Sequence, residues 1–235
     1  MQNLVINELS KYMESIFEEF DHEEIPLNEK EIFTEIWKSP RVVFKFINET
    51  GYSKFTTILL VLSGITYMLS NATTMHLGDV MPLWGVLMAC IIGGAVFGWL
   101  YFYIYAALLS WTGKWLNGVG NTKALLRMIS YALIPMLVFI ILFIIRIALF
   151  GNEVFQREFD IAGKGIPAIG IYVFTYFIEL VTLIWTIVLF VIGISEVQKL
   201  SIGKALLNMI LPGLLLFAVC IPIAAIAFIV GDFFK

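Results

Sequence analysis

Charge, cysteine and histidine are all scarce in this chain, and each shortage removes a class of function. Asp, Glu, Lys and Arg make up 14% of the 235 residues, less than the surface of a soluble domain of this length carries. The only cysteines, Cys90 and Cys220, lie within apolar tracts, where a thiol packs as a small hydrophobe. Two cysteines support neither a disulfide framework nor a metal-ligand spacing. His22 and His76 are far apart in sequence and fall on opposite faces of the predicted membrane, so they share no ligand. There is no G-x-S-x-G, no P-loop, no H-E-x-x-H and no G-x-G-x-x-G after a strand. With a net charge of −3, the expectation is a non-enzyme with no cofactor, no metal and no nucleic-acid partner.

What the chain has instead is apolar sequence: 60% hydrophobic residues and a mean hydropathy of +0.91. Five tracts, 55–77, 82–110, 124–150, 168–194 and 205–231, are separated by short polar connections. A hydrocarbon core of about 30 Å takes roughly 20 helical residues to cross, and each tract is long enough. None alternates as a barrel strand does, and an open strand in lipid leaves its backbone groups unpaired. The reading is an all-α polytopic membrane protein: a five-helix transmembrane bundle over 55–235, preceded by a cytoplasmic arm of amphipathic helices over 1–54. Residues 1–21 lack the basic start and apolar core of a cleavable signal, so the first tract is expected to be the insertion signal.

Orientation follows from the basic residues of the connections, because lysine and arginine near helix ends stay on the cytoplasmic side. An N-inside arrangement places Lys11, Lys30, Lys38, Arg41, Lys45, Lys54, Lys114, Lys123, Arg127, Lys199 and Lys204 inside and only Arg146, Arg157, Lys164 and Lys235 outside. This predicts a cytoplasmic N-terminus and an external C-terminus, in a bacterial inner or plasma membrane.

In the arm, ten acidic residues stand against two lysines up to Glu35, while the stretch from Lys38 to Lys54 is net positive. Val5, Leu9, Tyr12, Met13, Ile16, Phe17 and Phe20 recur at helical spacing over 3–20, with glutamates on the other face. An acidic face is repelled by an anionic leaflet, so this helix is read either as packing on a protein partner, through residues 1–35, or as a solvated tether. Asn28 with Glu31 has the spacing of a helix-start box. Ser39 and Pro40 fit the cap and first position of a further helix, whose Val43, Phe44 and Ile47 beside Arg41 and Lys45 are written as a helix lying on the inner leaflet.

The segment Lys123-Ala-Leu-Leu-Arg-Met-Ile129 is repeated as Lys204-Ala-Leu-Leu-Asn-Met-Ile210. The match suggests parallel hairpin repeats over 82–150 and 168–231, with convergent helix-entry chemistry as the alternative. Pro135, Pro212 and Pro222 are expected to break their helices. Gly94 and Gly98 form a small-xxx-small surface, read as packing inside the bundle first and as a homodimer contact second.

Within the fourth tract, Thr175, Glu179, Thr182 and Thr186 share one helical face. A carboxylate at mid-membrane costs roughly 3 kcal/mol to insert, so such a stripe is expected to point into the bundle. Tyr131 and Arg146 are placed near one side of the third tract, with Arg146 closer to the outer surface. One reading is structural: Glu179 protonated and hydrogen-bonded between helices, Arg146 reaching outward. The other is an intramembrane polar site at Glu179, Thr175, Thr182, Arg146 and Tyr131 for a cation, proton or lipid headgroup.

The stretch Ser130-Tyr131-Ala132-Leu133-Ile134-Pro135, following Gly118, Gly120 and Lys123, resembles the glycine-tyrosine and proline signature of the Yip domain family, the Ypt/Rab-interacting proteins. Ile36-Trp37-Lys38-Ser39-Pro40-Arg41 is similar to prokaryotic members, as is the run from Trp185 through Gly193, Ser195, Glu196, Val197, Gln198 and Lys204 to Pro212. Ser130 stands where the family has glycine, and the Asp-Leu-Tyr-Gly-Pro segment of eukaryotic members does not occur. The resemblance implies the five-span fold and a non-enzymatic membrane role, organising or recruiting membrane proteins or lipids in contact with the bilayer. A transporter or channel for an ion, small solute or lipid, with Glu179 as its polar site, is the alternative.

Overall fold

The computed structural model describes Leu27 and residues 29–233, with side chains of the last helix as far as Ala218 and at Ile221. The helix expected over 3–20 and Asn28 of the start box lie outside the described residues. All regular structure among the described residues is helical: α1 (Glu29–Lys38), α2 (Pro40–Thr50), α3 (Thr56–Thr74), α4 (Leu83–Trp115), α5 (Thr122–Ala132), α6 (Val138–Phe150), α7 (Ile166–Gln198) and α8 (Ile202–Phe233). Among the described residues four stretches are long and apolar enough to cross a membrane: α3, α4, α7 and Ile134–Phe155. At 1.5 Å per residue, the 33 residues of α4 and of α7 run to about 50 Å. Both therefore extend beyond a 30 Å hydrocarbon layer or tilt within it.

The short helices α1 and α2 cap one end of the bundle. Pro40 opens α2, with its preset φ and no amide left idle, while Ser39 makes no side-chain cap bond. Gly51 closes the helix in the left-handed region at φ 68°, where a side chain is disfavoured. The apolar face of α2 does not lie on a leaflet. Val43, Phe44 and Ile47, with Ile32 and Ile36 of α1, are fully buried against protein in one cluster with Met128, Ile129 and Ile194. Burying each such side chain stabilises by about 1.5–3 kcal/mol, so the cap is part of the fold and not an attachment. A glycine, Gly193 of α7, permits the approach: a Cβ there would stand 2.5 Å from Met128 Sδ and 3.3 Å from Phe44 Cζ.

The third apolar tract is not one crossing. Pro135 removes an amide and clashes with the carbonyl four residues back, and a 3-10 turn over Ile134–Leu137 separates α5 from α6. The α5 helix, capped by Asn121 Oδ1 accepting from Ala124 N at 2.9 Å, is buried over Met128–Ala132 as protein core and not as a lipid-facing span. By contrast α8 runs through Pro212 and Pro222 without interruption, which corrects the expected breaks there. Transmembrane helices tolerate proline where neighbouring groups re-satisfy the freed carbonyl. The two halves of the proposed repeat thus differ in structure as well as in proline position.

Close backbone contact joins α3 to α4. A Cβ on Gly64 would fall onto the Gly94 carbonyl and within 2.8 Å of Gly98 Cα, so the small-residue surface of α4 is occupied by α3 of the same chain. At the end remote from the cap, the α6–α7 connection folds back over the α3–α4 turn. Asn152 Nδ2 donates to the Gly78 and Met81 carbonyls at 2.9 and 3.3 Å, and Gln156 Nε2 donates to Gly78 at 3.2 Å. Phe155, fully buried, stacks parallel on Phe143 with centroids 6.3 Å apart. A second apolar cluster, including Cys90, fills this end.

Candidate functional site

Two buried polar centres stand out, one at each end of the bundle. At the remote end, Arg146 of α6 forms an ion pair with Glu179 of α7. The Arg146 side chain is 1% exposed and that of Glu179 14%. The guanidinium lies 4.6 Å from the centroids of both Phe143 and Tyr176, and cation–π attraction in a desolvated setting reaches about 2 kcal/mol. Arg146 therefore does not reach outward, as one of the two readings had it, but joins Glu179, as the other grouped it. Glu179, Phe143 and Tyr176 hold the guanidinium within the bundle.

The expected stripe on α7 does face inward. Thr175, Thr182 and Thr186 are buried with Glu179 beside them, and Thr175 Oγ1 donates to the Tyr172 carbonyl at 2.7 Å. Tyr172 OH and Tyr176 OH meet at 3.2 Å. Arg146 Nε has no hydrogen-bond partner among the described residues. A paired charge with unmet donors in low dielectric is costly to break and weak as net stabilisation.

Tyr131 does not belong to this centre. Pro135 turns the chain between them, and Tyr131 is buried at the cap end with its ring 6.1 Å from that of Tyr52. Sequence placement put it near Arg146 on one side of the third tract, and the turn at Pro135 takes the two residues to opposite ends of the bundle.

The second centre was not singled out from sequence. Gln198, the last residue of α7, is fully buried. Its Nε2 donates to the Leu109 carbonyl at 2.9 Å, its Oε1 accepts from Gly120 N at 3.1 Å, and its own carbonyl accepts from Val119 N at 3.1 Å. Gly113, Gly118 and Gly120 surround this amide. A Cβ on Gly118 would stand 2.5 Å from Gln198 Oε1, and one on Gly113 would overlap the amide nitrogen. Asn208 of α8 joins in, its Oδ1 accepting from Thr112 Oγ1 at 2.7 Å and its Nδ2 donating to Leu109 at 3.3 Å. Lys204 Nζ donates to the Leu116 carbonyl at 3.3 Å. One signal was available: Asn208 is the single position at which the two Lys-Ala-Leu-Leu segments differ, where Arg127 stands in the other copy.

Neither centre carries an arrangement of nucleophile and base, and no three metal-ligating side chains among the described residues come together. What the fold and these centres define is a multi-pass helical membrane protein whose polar residues tie helices to one another. Within that class, the Yip1 domain model matches residues 34–224, and the chain belongs to the Yip1 domain family. No curated protein and no solved structure matches the chain.

Proposed function

We propose that this Yip1-domain protein is a non-enzymatic membrane organiser: a five-span bundle, α8 being the fifth, that holds α1 and α2 against its cytoplasmic end so that residues 1–35 can recruit a partner. The observation that carries this reading is the cap. Ile32, Ile36, Val43, Phe44 and Ile47 are buried in the bundle core, so a partner that engages α1 is held in a fixed position relative to the spans.

The charge distribution supports the cap end as the cytoplasmic end. It carries Lys54, Lys114, Lys123, Lys199 and Lys204, all exposed, whereas Arg157 and Lys164 are the exposed basic residues of the remote end among the described residues. That asymmetry is the one the positive-inside rule describes, and it suits a bacterial inner membrane with the C-terminus outside. The pairing of Glu179 with Arg146 favours organisation over transport, since a compensated carboxylate offers no free charge to a passing cation. Seating of Gly94 and Gly98 against Gly64 likewise favours a bundle that does not need α4 for homodimer formation.

The test is capture of partners by crosslinking in native membranes. Deleting residues 1–27 abolishes capture and the charge-compensated double variant, Arg146→Met with Glu179→Leu, leaves it intact if the protein organises. The reverse pattern, with solute flux lost in that double variant, sinks the proposal.

A further inference from the structure

Between α3, α4, α7 and α8, beside the Pro135 turn, the bundle encloses a cavity of about 260 Å³ whose wall includes Ser63, Tyr101, Met136, Leu183, Ile187 and Met209. Ser63 lies seven residues into α3 and Met209 seven into α8, which at 1.5 Å per residue places both about 10 Å along their helices from the cap end. Its mouth is open: Tyr101, Leu183 and Ile187 are all exposed, on a face left uncovered by the described residues.

The wall is apolar apart from a few hydroxyls, and the buried ones are used, with one exception. Thr186 Oγ1 donates to the Thr182 carbonyl at 2.8 Å and Tyr105 OH to the Met209 carbonyl at 3.1 Å. Ser63, 2% exposed, has a buried Oγ with no partner. Water would need two to four polar partners here and finds one free buried hydroxyl, the hydroxyls of Tyr67 and Tyr101 belonging to exposed residues, so the inner wall is not built for it. The volume is below the roughly 300–1,000 Å³ of sites that enclose drug-sized ligands, and a half-open apolar cleft of this size suits part of an alkyl chain whose remainder lies in the surrounding lipid. An unpaired hydroxyl in hydrocarbon is costly, and a carbonyl at this depth is equally short of a donor.

We propose that this cavity binds one lipid acyl chain from the leaflet on the cap side, with the carbonyl of that chain accepting a hydrogen bond from Ser63. The site is independent of the arm and of partner recruitment.

The experiment uses the full chain in vesicles of phosphatidylethanolamine and phosphatidylglycerol containing a phospholipid with a diazirine in its acyl tail. After photolysis, label is expected to concentrate at Tyr101 and Leu183 and to be lost in Ile187→Trp, which closes the mouth from an exposed position. Methyl palmitate is expected to suppress labelling at lower concentration than hexadecane in wild type, and Ser63→Ala should make the two competitors equal. Label spread evenly onto Ile92 and Phe97 on the open face of α4, or unchanged by Ile187→Trp, overturns the site. Equal competition in wild type overturns the contact with Ser63. Deleting residues 1–27 leaves labelling unchanged, so loss of partner capture and loss of lipid binding are separate results.

Discussion

The two polar centres solve the same problem in opposite ways. At the cap end, Gln198 and Asn208 use neutral amides against backbone groups of α4 and the following loop, and every hydrogen bond has a partner. At the remote end, α6 and α7 are joined by a charge pair whose guanidinium rests on Phe143 and Tyr176 and keeps one donor unmet. A satisfied neutral network fixes one geometry at modest net gain, because folding exchanges water bonds for protein bonds. A buried ion pair contributes little net stability yet makes the loss of either partner severe. The cap end is therefore expected to respond to changes of shape, and the remote end to changes of charge.

The largest effect should come from separating the pair. Glu179→Ala leaves Arg146 buried and uncompensated and is expected to destabilise by about 3–5 kcal/mol, read as a shift in unfolding by denaturing detergent in mixed micelles. Replacing both partners, Arg146→Met with Glu179→Leu, should restore stability to within about 1 kcal/mol of wild type or better. A double variant as damaged as the single one would show that the pair does more than hold α6 to α7.

Next is the shape test at the cap end. Gly113→Ala drives a methyl into the Gln198 amide and is expected to cost about 1–3 kcal/mol by overpacking, the same range expected for Gln198→Leu through the orphaned Gly120 amide. Because both act on one contact, the double variant should cost much less than the sum of the singles. Additive effects would mean that the glycines serve the backbone and not the glutamine.

Smaller still is the effect of Gly193→Ala at the seat of α2. Met128 has a flexible side chain that can withdraw, so about 1 kcal/mol is expected, measured as faster hydrogen exchange of α2 with α7 unchanged. Equal loosening of both helices would mean that the cap and the spans do not separate.

The smallest effect is alkaline. Glu29, hydrogen-bonded to Lys54 at 2.5 Å, holds the Lys54 ammonium above its ordinary 10.5, and burial pushes the Tyr52 phenol above its ordinary 10.0. Each group keeps its proton more tightly folded than unfolded. The stability both contribute is complete below pH 10 and is lost as pH rises through the raised values. Tyrosine absorbance should titrate late in wild type, while exchange in α1 speeds up over the same range. Glu29→Gln should bring the Lys54 part of that transition earlier, and an unchanged profile would remove the contact from the account of the cap.

Much of this architecture was legible from residues alone, and the misses have physical causes. The inward stripe of α7 followed from Thr175, Glu179, Thr182 and Thr186 recurring every three or four positions, since a helix puts such residues on one face. Pro135 was read as a break, and the chain turns there. Arg146 was read both as reaching outward and as grouped with Glu179, and the approach of α6 to α7, which no local pattern encodes, decided for the pair. The interfacial reading of α2 failed for a related reason: an apolar face shows that something will cover it, not whether lipid or protein does. Gln198 drew notice only as part of a family motif, because its importance lies in three glycines some 80 positions earlier.

By itself, the sequence determined that the chain lives in lipid, that its elements are helices, and which faces carry polar groups. Hydropathy and periodicity are sums over neighbours along the chain, and the bilayer enforces them everywhere. Tertiary structure alone decided the partners: Arg146 with Glu179, Gln198 with Leu109 and Gly120, Gly64 with Gly94. Each depends on how closely two backbones approach and on where a connecting segment returns, and both are properties of the packed bundle, not of any one segment.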